Sequence, residues 1–96
     1  MTDKIWFITG AGRGLGHLIA RDALQAGNKV VATSLTVDGV ADSLSASEDS
    51  LLVLPLDVTD PEAASAALDA AIEKFGRIDV LVNNAGRAQL GWVETI

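Results

Sequence analysis

Residues 9–16 read Thr9-Gly10-Ala11-Gly12-Arg13-Gly14-Leu15-Gly16 and directly follow the apolar run Ile5-Trp6-Phe7-Ile8. One residue free to take a positive φ is enough to turn a chain sharply. Four glycines between positions 10 and 16 exceed that need, and positions without a Cβ also let a backbone approach a ligand closely. The segment that follows has helical spacing. Gly16, Ile19, Ala20, Ala23, Leu24 and Gly27 share one face, and Arg21, Asp22 and Gln25 lie opposite. Leu18 is an apolar exception on the polar side. Gly27 suits the helix exit. A helix starting near Gly14 aims unpaired N–H groups and a positive dipole end back at the loop, where a pyrophosphate would be held. A turn that binds nothing is the alternative, and the surplus of glycine weighs against it.

Outward from this stretch the pattern alternates. Ile5 to Ile8, Lys29 to Thr33, Leu51 to Leu54 and Val80 to Val82 are short apolar runs without polar alternation, as in strands covered on both faces. Between the last two, Ala64, Ala67, Leu68, Ala71, Ile72 and Phe75 make a helical stripe. Pro61 suits the first helical position and Gly76 the exit. Asp60 is one candidate N-cap, and Thr59 with Glu62 as a capping box is the other. The linker from Thr36 to Ser50 is polar, with a short helix expected from Val40 to Ala46. Strand–helix alternation of this kind predicts an α/β fold with a parallel sheet and right-handed crossovers.

Bulk properties narrow the function. Ninety-six residues allow one domain, and 49% hydrophobic residues with 21% charged indicate a folded chain. The net charge is -6, with seven scattered Lys and Arg, which argues against a nucleic-acid or anionic-membrane surface. Cysteine is absent and histidine occurs once, so disulfides, thiol nucleophiles and Cys- or His-rich metal sites are excluded. No apolar run is long enough for a bilayer span, and the N-terminus lacks the pattern of a signal peptide. A cytoplasmic location is the default expectation. His17 is expected to be an exposed helix residue without a role, and Trp6 a core residue.

The Thr9–Gly16 motif, together with Leu56-Asp57-Val58-Thr59-Asp60 and Asn83-Asn84-Ala85-Gly86, resembles the short-chain dehydrogenases/reductases, a family of NAD- or NADP-dependent oxidoreductases. The three motifs occur in order at the ends of the first, third and fourth expected strands, and the likeness runs from Lys4 to Ile96. It implies a Rossmann-like, doubly wound parallel sheet with strand order 3-2-1-4, residues 1–96 forming its N-terminal half up to the start of a fourth helix.

The resemblance also implies a site at the carboxyl ends of the strands. Gly10, Gly12, Gly14 and Leu15 would cradle the pyrophosphate, and Gly16, on the core arc of the same cofactor-binding motif, would let the helix press on the sheet. Asp57 would accept from the adenine amino group and Val58 would line the ring, an Asp that merely organises its turn being the less favoured alternative. Asn84, Ala85 and Gly86 would pass near the nicotinamide-side ribose, with Asn83 bracing the sheet. Ser34 and Leu35 stand where NAD-dependent members carry an acidic residue; Asp38 is the nearest acid. Arg13, just before a motif glycine, is the family's cue for NADP, its guanidinium pairing with the 2′-phosphate. NADP is therefore the expected cofactor, with NAD as the alternative. Gly91 to Thr95 would border the substrate cleft.

Family catalysis uses a Ser and a Tyr-x-x-x-Lys pair, the tyrosine acting as acid/base. This sequence has no tyrosine, so the chain is expected to be a cofactor-binding fragment without a catalytic residue, the complete protein acting on an alcohol or carbonyl. A fourth strand without an outer neighbour would offer an edge for self-association. A non-enzymatic NADP(H)-binding module or partner-dependent sensor is the competing reading. A Walker-type phosphate loop is excluded by the lack of Gly-Lys-Ser/Thr.

Overall fold

The computed structural model describes residues 4–11, 14–35, 39–44, 46, 49–57 and 59–82. Its elements run β1 (Ile5–Ile8), α1 (Gly14–Gln25), β2 (Lys29–Ser34), α2 (Val40–Leu44), β3 (Leu51–Pro55), α3 (Pro61–Phe75) and β4 (Val80–Val82). The four strands are parallel, in the order β3-β2-β1-β4. The topology is that of the doubly wound sheet the sequence pattern predicts. Three boundaries differ from expectation, the first being β2, which runs on to Ser34 rather than Thr33. β3 runs on to Pro55, because Pro55 pairs with Ser34 as the last rung of the ladder. α2 is described as Val40–Leu44, and Ala46, expected to end it, lies outside the helix.

Successive strand residues point to opposite faces, and the two faces bury different partners. Ile8, Val30, Ala32 and Leu51 meet Ala20 and Ala23 of α1 and Val40 and Leu44 of α2. Phe7 and Val31 meet Ala64, Ala67 and Ala71 of α3, with Leu56 beside them. Alanine on the contact faces of α1 and α3 lets each helix lie close to the sheet, so bulk comes from the strands. Burying Phe7, Ile8, Val30 and Val31 completely contributes about 1.5–3 kcal/mol per side chain. The central pair β1–β2 is therefore covered on both faces. The strands beside it are not: Leu52, Val53 and Leu54 of β3 and all of β4 are only half-buried.

The ends of α3 follow from its sequence. Asp60 is the N-cap: its Oδ1 accepts from the N–H of Glu62 at 3.0 Å and of Ala63 at 3.3 Å. That decides the choice between the two caps, because the Thr59 hydroxyl is turned toward Asp57 instead. Gly76 ends the helix at φ +89°, its N–H donating to Ile72 O at 2.7 Å, a left-handed position that favours glycine. Within the expected stripe Ile72 is 48% exposed. It lies one residue, about 100° of rotation, beyond Ala71 and so off the contact arc.

The amino ends of β1 and β4 are clamped together. Ile5 N donates to Asp79 Oδ2 at 2.8 Å, and Asp79 N donates to Ile5 O at 2.9 Å. Arg77 Nε holds both carboxylate oxygens at 3.0 Å. The backbone N–H of Ile5, then Arg77, keep the Asp79 carboxyl below the ordinary aspartate value of 3.8.

Trp6 packs on the α1 side of the sheet as expected, with its Nε1 enclosed and unpartnered. His17 departs from the expected exposed position. It is half-buried with Nδ1 enclosed and unpartnered, because it flanks the contact arc beside Gly16, on the side where Leu24 is also half-buried.

Candidate functional site

The carboxyl ends of the strands are bound to one another by bonds that continue past the sheet ladder. Thr9 N donates to Val82 O at 3.0 Å, joining the start of the glycine-rich loop to β4. Ala11 N donates to Thr33 O at 2.9 Å, joining the same loop to β2. Thr33 Oγ1 donates to Ile8 O at 3.1 Å, and Leu56 N donates to Ser34 O at 2.9 Å. Thr9, Ala11 and Thr33 have no exposed surface. The loop is thus fixed across β1 between its two neighbouring strands, with buried polar groups paired as burial requires.

From this anchored base the chain turns into α1. Gly10 and Gly14 have φ of +64° and +66°, in the left-handed region. A Cβ built on Gly14 meets no atom within 4 Å. Its glycine identity is therefore not imposed by packing, and the surface beside it is open to an incoming group. α1 has twelve residues and no acidic side chain in its first turn, so nothing on the helix itself competes for its leading N–H groups. Such an end attracts an anion through its free donors and dipole. Gly16 is buried against the sheet, while Leu15 is 63% exposed.

Ser34 closes β2 and is half-buried; the next residue, Leu35, is 76% exposed. No carboxylate stands at either position. Asp57 lies two residues past β3 and is exposed. Its Oδ1 accepts from Thr59 N at 2.9 Å and from Thr59 Oγ1 at 2.6 Å. These bonds, the hydroxyl's first, hold the carboxyl below the ordinary 3.8. Oδ2 takes no bond from a described residue. Asp57 thus organises its turn through one oxygen and leaves the other for a donor.

The structure therefore brings Gly10, Gly14, Leu15, Gly16, Ser34 and Asp57 to the carboxyl edge of one sheet. Gly12, Arg13, Val58, Asn84, Ala85 and Gly86 lie outside the described residues, as do Asp38, Asn83 and Gly91 to Thr95. Sequence reasoning missed Thr33 and Thr59 as parts of this edge. A threonine closing a buried strand, and a threonine two residues after an aspartate, were the available signals. Among the described residues no group of three or more His, Cys, Asp or Glu could hold a metal ion, and no helix is long and apolar enough to cross a membrane.

A family profile described as short chain dehydrogenase matches residues 4–96. The chain belongs to this family. Oxidoreductase BOA17 of Botryotinia fuckeliana (strain B05.10) is 44% identical over 94 residues, which are 97% of this chain and 34% of the relative. Fluoren-9-ol dehydrogenase of Terrabacter sp. (strain DBF63) is 43% identical over 84 residues, 85% of this chain and 24% of the relative. A crystal structure of a short-chain dehydrogenase from Streptomyces avermitilis superposes with a TM-score of 0.82 at 40% identity, covering 90% of this chain and 32% of that one. The chain thus spans about a quarter to two fifths of the length of the relatives it matches. Oxidoreductase chemistry with a dinucleotide cofactor is the property of the family.

Proposed function

We propose that this chain forms the NADP(H)-binding part of an oxidoreductase that transfers a hydride between the nicotinamide ring and an alcohol or carbonyl substrate. The observation that carries this reading is the glycine-rich loop fixed between Thr33 of β2 and Val82 of β4, with the start of α1 above it. In an open parallel sheet this is the crevice where strand order reverses, and dinucleotides bind there.

The residues present fit such a ligand. The loop glycines, with the backbone at Leu15, would receive the pyrophosphate. Asp57 would accept the adenine amino proton, beside Val58. Ser34 would face the adenine-side ribose without repelling a 2′-phosphate, and Arg13 would pair with that phosphate. Asn84, Ala85 and Gly86 would line the nicotinamide side. The bound cofactor supplies the hydride acceptor or donor. The chain's own residues bind it, orient it and balance its charge. The family's proton-transfer tyrosine has no counterpart in this sequence, which contains no tyrosine, so we assign this chain binding without proton transfer.

Titration calorimetry with NADPH and NADH tests the reading. NADPH is expected to bind more tightly, and Arg13→Ala to abolish the difference. Equal affinity for both cofactors, unchanged by Arg13→Ala, rejects the NADP assignment. No binding of either rejects the site.

β4 carries a second reading. Among the described residues it ends the sheet order, and Val80, Leu81 and Val82 are only half-buried. A half-covered apolar edge strand favours pairing with another chain, so we propose self-association through it. Sedimentation velocity at increasing concentration tests this: a constant monomer mass refutes it.

A further inference from the structure

We infer that Thr59 is a positioning residue for cofactor binding: by donating both its hydroxyl and its backbone N–H to one oxygen of Asp57, it presents the other oxygen to the adenine amino group. The inference rests on the assignment of Asp57 to adenine and adds what fixes that carboxylate.

An exposed aspartate in a loop samples several rotamers and presents either oxygen. Here Oδ1 receives two donors from one residue, at 2.9 and 2.6 Å. Two bonds to the same atom restrain the carboxyl plane as well as its position. A short O–H···O⁻ bond is the stronger kind of hydrogen bond. The hydroxyl is free for this task because Asp60 caps α3. Asp57 is in turn held by its backbone, whose C=O accepts from Asp60 N at 3.0 Å. The turn therefore carries two carboxylates with separate duties, Asp60 for the helix and Asp57 for the outward direction.

Among the described residues Thr59 is the group that bonds the Asp57 carboxylate. The charged neighbours in the same turn are Asp60, engaged by the helix N–H groups, and Glu62 in the first turn of α3. Ser34 and Leu35 at the adjoining end of β2 are uncharged, as are Gly14 and Leu15 at the start of α1. The lowered pKa of Asp57 traces to Thr59, through the hydroxyl first and the N–H second, with no charged side chain contributing.

The test uses this chain with Thr59→Val, Thr59→Ser and Asp57→Ala. First, the Asp57 carboxyl carbon is titrated by NMR without ligand. Thr59→Val is expected to raise its midpoint toward 3.8 and Thr59→Ser to restore it. Second, binding of 2′-phospho-ADP-ribose, which carries the adenine but no nicotinamide, is measured at pH 7. Thr59→Val is expected to weaken it by on the order of tenfold, the scale of a hydrogen bond to a charged group, and Thr59→Ser to recover most of the loss. An unmoved midpoint in Thr59→Val overturns the inference even if the chain binds nothing. Unchanged affinity in Thr59→Val, with a clear loss in Asp57→Ala, overturns the role of Thr59 and leaves Asp57 at adenine. Unchanged affinity in Asp57→Ala removes the adenine assignment itself.

Discussion

Replacing Gly14 by alanine separates folding from binding, because the structure assigns the two effects different causes. Gly14 has φ +66° and open space where a Cβ would stand. In the unliganded chain the cost is conformational alone, about 1–2 kcal/mol for an L-residue in the left-handed region. A domain of this length has roughly 5–15 kcal/mol of stability, so the variant stays folded. Its Tm falls by about 4–8 °C for each kcal/mol. On the proposed function the same methyl group would meet the cofactor's phosphates, and overpacking there would cost about 1–3 kcal/mol of affinity, roughly a hundredfold. In a thermal melt with NADPH at a hundred times the parent's Kd, the ligand adds about 2.7 kcal/mol to the parent. A variant weakened a hundredfold gains only about 0.4 kcal/mol under the same conditions. Gly27→Ala is the matched control. Gly27 also has positive φ, +91°, and open space, but it lies in the turn between α1 and β2 at the opposite end of the sheet. It should lose comparable stability and keep the full ligand-induced shift. Equal ligand shifts in Gly14→Ala and the parent would falsify the placement of the phosphates.

Three further outcomes follow from the packing. Asp60→Ala removes the acceptor for the Glu62 and Ala63 N–H groups and should cost about 1 kcal/mol in urea unfolding; no change would return the cap to Thr59. Phe7→Ala empties a wholly buried position facing α3, with an expected loss of about 3–5 kcal/mol, read as a lower urea midpoint; a loss under 1 kcal/mol would contradict the packing. The folded Asp79 carboxyl titrates below its ordinary 3.8, so its contribution is present above about pH 4 and lost as pH falls through the folded value. Asp79→Asn should therefore be less stable than the parent at pH 7, with the gap closing as pH falls through the folded carboxyl's value; a gap independent of pH would argue against the clamp.

Much of the fold was legible because periodicity and punctuation agreed. Four unalternating apolar runs became four parallel strands, and Pro61 and Gly76 bounded α3 where its alanine stripe begins and ends. What escaped was lateral position. A helical wheel places Ile72 and His17 on the rim of an apolar arc, yet one is exposed and the other half-buried, since the neighbour that covers a rim comes from elsewhere in the chain. The same limit applied at the candidate site. The glycines pointed to the loop, but that Thr33 reaches across to Ile8 depends on β1 and β2 being adjacent in the sheet. At Asp57 the structure shows the turn-forming bonds, both made to Oδ1, a detail of one oxygen that sequence cannot express.

The bond from Thr9 to Val82 also imposes a timetable. Thr33 of β2, which anchors the loop at Ala11, reaches Ile8 just before the loop across 25 residues, but the β4 anchor lies 73 residues from Thr9. Distant pairings form late, after the entropy of closing long loops has been met. During synthesis from the N-terminus, β1, β2 and β3 emerge and pair while the glycine-rich loop has only one side secured. The glycine-rich loop is therefore secured on its β4 side only once β4 has been made, although its own residues are among the first to emerge.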